Sequence, residues 1–167
     1  MITKIESGDD ESIFHEIEMG KKIMKIPYYE KLYAPVVDYE KYDMKKVNKD
    51  IIESCDVIKG NRPMYALHIP LVDGFTFDTY FVDNKMNLDN SKLLKDFMFS
   101  YPVLVDAIGK LNKNSIVHCD IKLQNLMYDI KSNSPKLIDF GLSLDVSEVN
   151  DDNLDFTFYT YVPSYSF

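Results

Sequence analysis

The chain has no tryptophan, two cysteines and a single arginine, Arg62, among its 167 residues. Two cysteines, Cys55 and Cys119, cannot supply the disulfide framework of a small secreted domain, so we expect both to be free thiols in a reducing compartment. Acidic residues number 27 and basic residues 19, which gives a formal charge of −8. Nonspecific nucleic-acid binding depends on a basic surface, so the charge argues against a nucleic-acid partner.

Long apolar segments are also lacking. No hydrophobic run approaches the roughly 20 residues of a membrane-spanning helix, and the N-terminus has no apolar region typical of a signal peptide. The sequence therefore predicts no membrane partner and an intracellular, cytoplasmic location. The hydrophobic share of 46% is ordinary, and twelve tyrosines and ten phenylalanines are available for a core. The length fits one domain or two small lobes.

The most informative segment is IVHCDIKLQNLMY, which runs from Ile116 to Tyr128 and is followed by KLIDFG near residue 140. It places Lys122 two residues and Asn125 five residues after Asp120. The second motif contains an Asp-Phe-Gly sequence that begins at Asp139. These polar residues flank short apolar stretches. They therefore form an ordered pattern, which is more informative than one acidic residue alone.

The spacing between the two motifs predicts a β-hairpin. One strand is expected over 125–128, a polar turn over 129–135 and a second strand over 136–138. The polar residues of the two motifs would then lie at the two ends of this hairpin.

The two motifs resemble the catalytic loop and the metal-binding turn of eukaryotic-type protein kinases. The resemblance implies transfer of the γ-phosphate of ATP to a serine or threonine of a protein substrate. Asp120 would be the catalytic base and Lys122 a positive charge beside the transferred group. Asn125 and Asp139 would hold Mg²⁺, which prefers oxygen ligands.

The resemblance also implies contacts to the phosphates from the N-terminal part of the chain. Lys4, on a strand expected over residues 1–5, would hold the α- and β-phosphates and pair with Glu16 on a helix expected over about 10–25. Glu18 is the alternative partner, but it lies about 200° around the helix from Glu16. Glu16 is preferred because it lies beside the apolar stripe of the helix.

The adenine-binding residues follow from the same resemblance. A strand expected over residues 63–72 would lead into the hinge between two lobes, with Ile69 behind the adenine and Val72 donating to it. Met127 would lie under the adenine ring. Ile2 stands where an alanine usually covers the adenine, so it would crowd the pocket.

The implied fold is α+β, a bilobal protein-kinase-like fold that is incomplete. Residues 1–72 would form a partial small lobe and the hinge, and residues 73–167 a partial large lobe with the catalytic loop, the Asp-Phe-Gly turn and the activation segment. The glycine-rich hairpin and the later large-lobe helices have no counterpart. A kinase truncated at both ends, or a second chain completing the large lobe, is therefore expected.

Other segments give weaker patterns. Residues 33–42 are predicted to be one strand, Asp73-Gly74 a turn, and Asp50–Cys55 either a helix or a strand. A further helix is expected after an Asn90-Ser91 cap, kinked or split at Pro102. Its predicted apolar face consists of Phe97, Tyr101, Leu104, Ile108 and Leu111.

Three functions remain open from the sequence. The first is a serine/threonine kinase or part of one. The second is a catalytically silent kinase-like binding or scaffold module, or a gene remnant, because parts of the domain have no counterpart. The third is a small-molecule kinase of the aminoglycoside or choline type, which Lys122 and the complete Asp-Phe-Gly motif disfavour. A weak similarity to compact kinases of large DNA viruses would make the location the host cytoplasm.

Overall fold

The computed structural model describes residues 1–7, 10–42, 63–83 and 91–147. Its helices are α1 (Asp10–Ile23), α2 (Tyr29–Leu32), α3 (Phe77–Asp83) and α4 (Ser91–Lys113), with a 3₁₀ turn over Leu123–Asn125. Its strands are β1 (Ile2–Ser7), β2 (Tyr33–Ala34), β3 (Asp38–Lys41), β4 (Met64–Ile69), β5 (Gly74–Thr76), β6 (Ile116–Val117), β7 (Leu126–Asp129), β8 (Ser134–Ile138) and β9 (Leu144–Asp145). The expected mixture of helices and sheets is present.

The first sheet has three antiparallel strands in the order β1-β4-β3. Helix α1 covers one face of this sheet, because its apolar residues recur at helical spacing. Ile13 and Ile17 of the helix form a buried cluster with Tyr65 and Leu67 of β4. Lys4 pairs with Leu67 in the β1-β4 register, so it lies beside the helix.

The second sheet has four strands in the order β2-β8-β7-β5. Strands β7 and β8 form the predicted hairpin, and β2 adds to β8 in parallel. At the hairpin turn, the Asp129 carboxylate accepts hydrogen bonds from Lys131 N and Ser132 Oγ and pairs with Lys136 at 3.0 Å. These three contacts satisfy a buried carboxylate, as a buried charge requires.

The larger core cluster lies between the second sheet and the helices. Its buried members are Met19, Ile23, Ile26, Leu32, Tyr33, Phe77, Ala107, Leu111, Ile116, Leu126, Leu137 and Phe140. The Tyr33 hydroxyl donates to the carbonyl of Ala107 at 2.7 Å, so β2 and α4 are joined by a buried hydrogen bond as well as by apolar packing.

The single strand predicted over residues 33–42 is wrong. The segment forms two short strands, β2 and β3, which belong to different sheets. Pro35 lies between them and has no N–H to donate, so it cannot continue a strand ladder on both sides. The turn predicted at Asp73-Gly74 is also displaced, because Gly74 begins β5 and pairs with Asp129. The segment Asp50–Cys55 lies outside the described residues.

Of the two alternatives predicted at Pro102, a kink or a split, the split does not occur, because α4 continues from Ser91 to Lys113. Pro102 removes the N–H that would bond to the carbonyl of Met98. Both residues are exposed, so water can satisfy that carbonyl. Within the described ranges, neither this helix nor any other has the length and apolar character needed to span a bilayer.

The apolar face predicted for α4 is correct only in part. Leu104, Ile108 and Leu111 pack into the core, and Ala107 is buried with them. Tyr101 was assigned to this face but is 62% exposed. The side chain of Phe97 lies outside what the structure describes. From residue 104 onwards, the two partly buried and two buried residues follow the helical spacing i, i+3, i+4 and i+7, as expected for a core-facing stripe.

Two helical glycines offer a matched test of how closely α1 packs. A Cβ at Gly20 would overlap the carbonyl oxygen of Val36, whereas a Cβ at Gly109 would meet nothing within 4 Å. We therefore expect Gly20→Ala to destabilise the protein by about 1–3 kcal/mol through overpacking. Gly109→Ala should stabilise it by about 0.5–1 kcal/mol, because alanine is the better helix former. Urea denaturation measures both, and equal effects of the two substitutions would contradict the packing of α1.

Candidate active site

A cavity of about 220 Å³ is lined by residues from both sheets and from α1. Its walls are Ile2, Lys4, Glu16, Ala34, Ile69, Pro70, Val72, Met127, Ile138 and Asp139. The lining is mainly apolar, with three charged side chains among the ten residues. Such an arrangement suits a ligand that has a flat apolar part and a charged part.

Six of the nine predicted site residues line this cavity: Lys4, Glu16, Ile69, Val72, Met127 and Asp139. Ala34 and Ile138 were not predicted. Ile138 could have been found from strand alternation, because Leu137 beside it is fully buried in the core. Ala34 gives no local signal, since it reaches the cavity only through the parallel pairing of β2 with β8.

The lysine and glutamate predicted to pair are in contact. Lys4 Nζ donates to Glu16 Oε2 at 3.3 Å, and the Glu16 side chain is only 7% exposed. A second carboxylate, unforeseen from the sequence, lies closer: Glu6 Oε1 is 2.6 Å from the same Nζ. Glu6 is two residues after Lys4 on β1, so both side chains lie on one face of the strand.

The charges at this end of the cavity influence one another. Burial raises the pKa of Glu16, and the negative charges of Glu6 and Asp139 add to that rise against the opposing effect of Lys4. Burial alone would lower the pKa of Lys4. The hydrogen bond to Glu6 and the charges of Glu16, Glu6 and Asp139 outweigh burial and raise it. Lys4 is therefore held as a cation among three carboxylates.

The remaining three predicted residues form a separate hydrogen-bonded cluster. Asp120 Oδ2 accepts from Lys122 Nζ at 2.8 Å and from Asn125 Nδ2 at 2.7 Å. Asn125 Nδ2 also donates to the carbonyl of Asp120 at 2.9 Å, which fixes the amide. Because the amide nitrogen of Asn125 donates to Asp120, the amide oxygen of Asn125 faces away from these two contacts. The hydrogen bond to Asp120 raises the pKa of Lys122.

His118 links this cluster to the Asp-Phe-Gly turn. Its Nε2 lies 3.1 Å from the carbonyl of Ile138, and its Nδ1 accepts from the N–H of Asp120 at 3.3 Å. These partners assign the neutral tautomer with the proton on Nε2. The ring packs against Phe140 with centroids 4.9 Å apart, and both residues are buried, as expected for packing residues.

Asp139 and Cys119 both adopt left-handed backbone conformations, with φ of 62° and 61°. Non-glycine residues in this region are uncommon and often occur at functional sites. Among the described residues, the Asp139 carboxylate accepts no hydrogen bond and forms no ion pair. Its carboxylate and the amide oxygen of Asn125 are the oxygen donors that magnesium prefers. By donor type, these two residues would therefore suit a magnesium ion.

The segment after Asp139 is attached to α1. His15 Nε2 lies 2.7 Å from the carbonyl of Ser143, and Lys22 forms an ion pair with Asp145. Strand β9 also pairs with β6, directly before His118. Neither His15 nor Lys22 was identified from the sequence, because their partners are more than a hundred residues away. Helix α1, the Asp-Phe-Gly turn and the catalytic loop are thus held together.

The model of the protein kinase domain family matches residues 4–165 of the chain. Probable serine/threonine-protein kinase fnkB from Dictyostelium discoideum is 30% identical over 115 residues, which are 68% of this chain and 20% of that protein. Probable serine/threonine-protein kinase cdc7 from the same organism is 33% identical over 85 residues, 51% of this chain and 7% of that protein. Serine/threonine-protein kinase ppk25 from Schizosaccharomyces pombe is 44% identical over 57 residues, 34% of this chain and 14% of that protein.

Since the family model spans most of the sequence, the chain belongs to the protein kinase family, and its mixed fold is kinase-like. The chain spans about a fifth or less of the length of these curated relatives.

The buried imidazole predicts a loss of stability in mild acid. Burial lowers the pKa of His118 from 6.5, although the hydrogen bond to Ile138 and the charges of Asp120 and Asp139 partly oppose this. The unfolded chain therefore takes up a proton at higher pH than the folded one. The stabilisation is complete above pH 6.5 and is lost as the pH falls through the lowered pKa of the folded state.

Urea denaturation between pH 8 and about pH 5 tests this dependence. His118→Phe should lower the free energy of unfolding by about 1–3 kcal/mol at neutral pH, because it removes buried hydrogen bonds. It should also flatten the pH profile, because the variant lacks the buried imidazole. An unchanged slope in His118→Phe would show that another group carries the acid dependence.

Proposed function

We propose that the chain is an ATP-dependent protein kinase domain that transfers the γ-phosphate of ATP to a serine or threonine hydroxyl of a protein substrate. The proposal is carried by one observation: a cavity with a charged end is connected to a hydrogen-bonded cluster of polar residues. The cavity has Lys4, Glu16 and Asp139 at its charged end. The cluster consists of Asp120, Lys122 and Asn125, and His118 attaches it to the strand before Asp139.

In this proposal the cavity binds ATP. The adenine lies between the apolar side chains of Ile69 and Met127, and the backbone around Val72 provides its hydrogen bonds. Pro70 can accept there but cannot donate. Lys4, positioned by Glu16, attracts the phosphates. Asn125 and Asp139 provide oxygen ligands for magnesium, whose chemistry here is to offset the negative charge of the phosphates.

The transfer itself is assigned to the catalytic-loop cluster. The carboxylate of Asp120 is held by Lys122 and Asn125, so its free lone pairs keep a fixed direction. It orients the attacking hydroxyl and takes its proton as the new O–P bond forms and the bond between the γ-phosphorus and the leaving ADP breaks. Lys122 is exposed, and its ammonium group can follow the charge of the transferred group. A lysine two residues after the base favours serine or threonine over tyrosine.

The proposal also covers the division of the chain into two lobes, the class of substrate, the cellular location and a partner chain. Residues 1–72 form the small lobe and hinge, and residues 73–167 belong to the large lobe. The two separate sheets on either side of the cavity support a division into two lobes, although β2, which lies within residues 1–72, belongs to the second sheet. A protein substrate, an intracellular and cytoplasmic location, and a second chain that completes the large lobe are further parts of the proposal.

Magnesium-dependent ATP binding is the first test, by titration calorimetry of the whole chain. We expect the unsubstituted chain to bind ATP more tightly with magnesium than with EDTA. Asp139→Asn should weaken binding in magnesium by about tenfold or more, because it removes a charged ligand. Asp106→Asn is the matched control, since Asp106 is exposed on α4 and, among the described residues, forms its ion pair with Lys110. Equal binding by all three proteins would refute the assigned role of Asp139.

Transfer of labelled phosphate tests the base. Asp120→Asn should reduce the rate by about 10²–10⁴-fold and leave ATP affinity unchanged, because the proton acceptor is lost while the cavity is intact. Undiminished transfer by a pure Asp120→Asn preparation would refute the assignment. Tight ATP binding by the unsubstituted chain with no transfer would favour the silent binding module, and transfer to an amino sugar but to no protein would favour the small-molecule kinase.

A further inference from the structure

The closest charged neighbour of Lys4 is a residue to which nothing in the proposed reaction assigns a role. Glu6 Oε1 lies 2.6 Å from Lys4 Nζ, compared with 3.3 Å for Glu16 Oε2. An ammonium group has three donors, and two of them point to carboxylates here. Lys4 is therefore shared before any phosphate arrives.

The two carboxylates differ in their access to solvent. The Glu6 side chain is 32% exposed, whereas that of Glu16 is 7% exposed. A contact between half-exposed groups is screened by water and exchanges readily. Glu6 can therefore release Lys4, while the buried Glu16 stays beside it. This makes Glu6, and not Glu16, the carboxylate that a phosphate group would replace.

The local charge balance is negative. Glu6, Glu16 and Asp139 all act on the single cation Lys4. With all four groups ionised, the surroundings of Lys4 carry more negative than positive charge. A free triphosphate is more strongly repelled by such a site than its magnesium complex, because the divalent cation offsets part of the ligand charge.

We propose that Glu6 is a specificity-determining residue that makes the site discriminate between magnesium-bound and free ATP. It occupies Lys4 through the short ion pair and adds a third carboxylate next to the lysine that would hold the phosphates. Both effects weaken the binding of any polyphosphate, and they weaken the binding of free ATP more than that of its magnesium complex. The inference rests on the proposed ATP site, because discrimination has meaning only if ATP binds there.

Titration calorimetry of the whole chain with ATP measures this discrimination. The ratio to compare is the dissociation constant in EDTA divided by the dissociation constant in excess magnesium. Glu6→Gln keeps the size of the side chain and removes its charge. We expect it to tighten the binding of free ATP by up to about fivefold, the scale of a half-exposed ion pair. Binding of the magnesium complex should change less, so the ratio falls. High salt should shrink the difference, because it screens exposed charges.

Two matched variants separate this role from simple positioning of Lys4. Glu18→Gln removes the same charge from an exposed position on α1 and should leave the ratio unchanged. Glu6→Asp keeps the charge but shortens the side chain, so it should retain most of the discrimination. If Glu6 merely braces Lys4, both Glu6→Gln and Glu6→Asp will weaken the two ATP forms alike. That result would overturn the proposal.

The other outcomes are equally decisive. An unchanged ratio in Glu6→Gln, with clear ATP binding by the unsubstituted chain, would overturn the role of Glu6 and leave the proposed function standing. Absence of ATP binding in every variant, with cooperative thermal unfolding retained, would overturn the ATP site and the inference together. A lower ratio in Glu6→Gln alone would support both.

Discussion

His118 is buried between the catalytic loop and the Asp-Phe-Gly turn, and its two ring nitrogens contact one segment each. Through Nδ1 it holds the backbone of Asp120, and through Nε2 it lies against the carbonyl before Asp139. The packing of Phe140 against its ring excludes water from these contacts. The relative position of the two acidic residues therefore depends on an imidazole that stays neutral.

The charged end of the cavity depends on a different constraint, the sharing of the Lys4 cation by several carboxylates. Helix α1 packs closely against the first sheet, and this packing places Glu16 of the helix next to Lys4 of β1. The same helix contacts the segment after the Asp-Phe-Gly turn through His15 and Lys22. A shift of α1 would thus alter both the lysine and the Asp-Phe-Gly turn, because both are attached to one helix.

Local patterns were sufficient for several elements and insufficient for others. The hairpin of β7 and β8 was predictable, because two short stretches rich in apolar residues are joined by a short polar turn. Helix α1 was predictable from its apolar spacing. The division of residues 33–42 between two sheets was not, since Pro35 signals a break but not which sheet each half joins. Tyr101 was misassigned because helical spacing alone does not tell where the stripe on α4 meets the core.

The order and spacing of residues along the chain were sufficient to indicate the family and to identify the polar residues of the two motifs. They also predicted that Lys4 and Glu16 would meet. Three other relations became visible in the folded protein: Glu6 contacts Lys4 more closely than Glu16 does, Ala34 lines the cavity, and His118 joins the two motifs. Those relations depend on strand register, on the packing of α1 and on distances across the fold, and none of these is encoded in neighbouring residues.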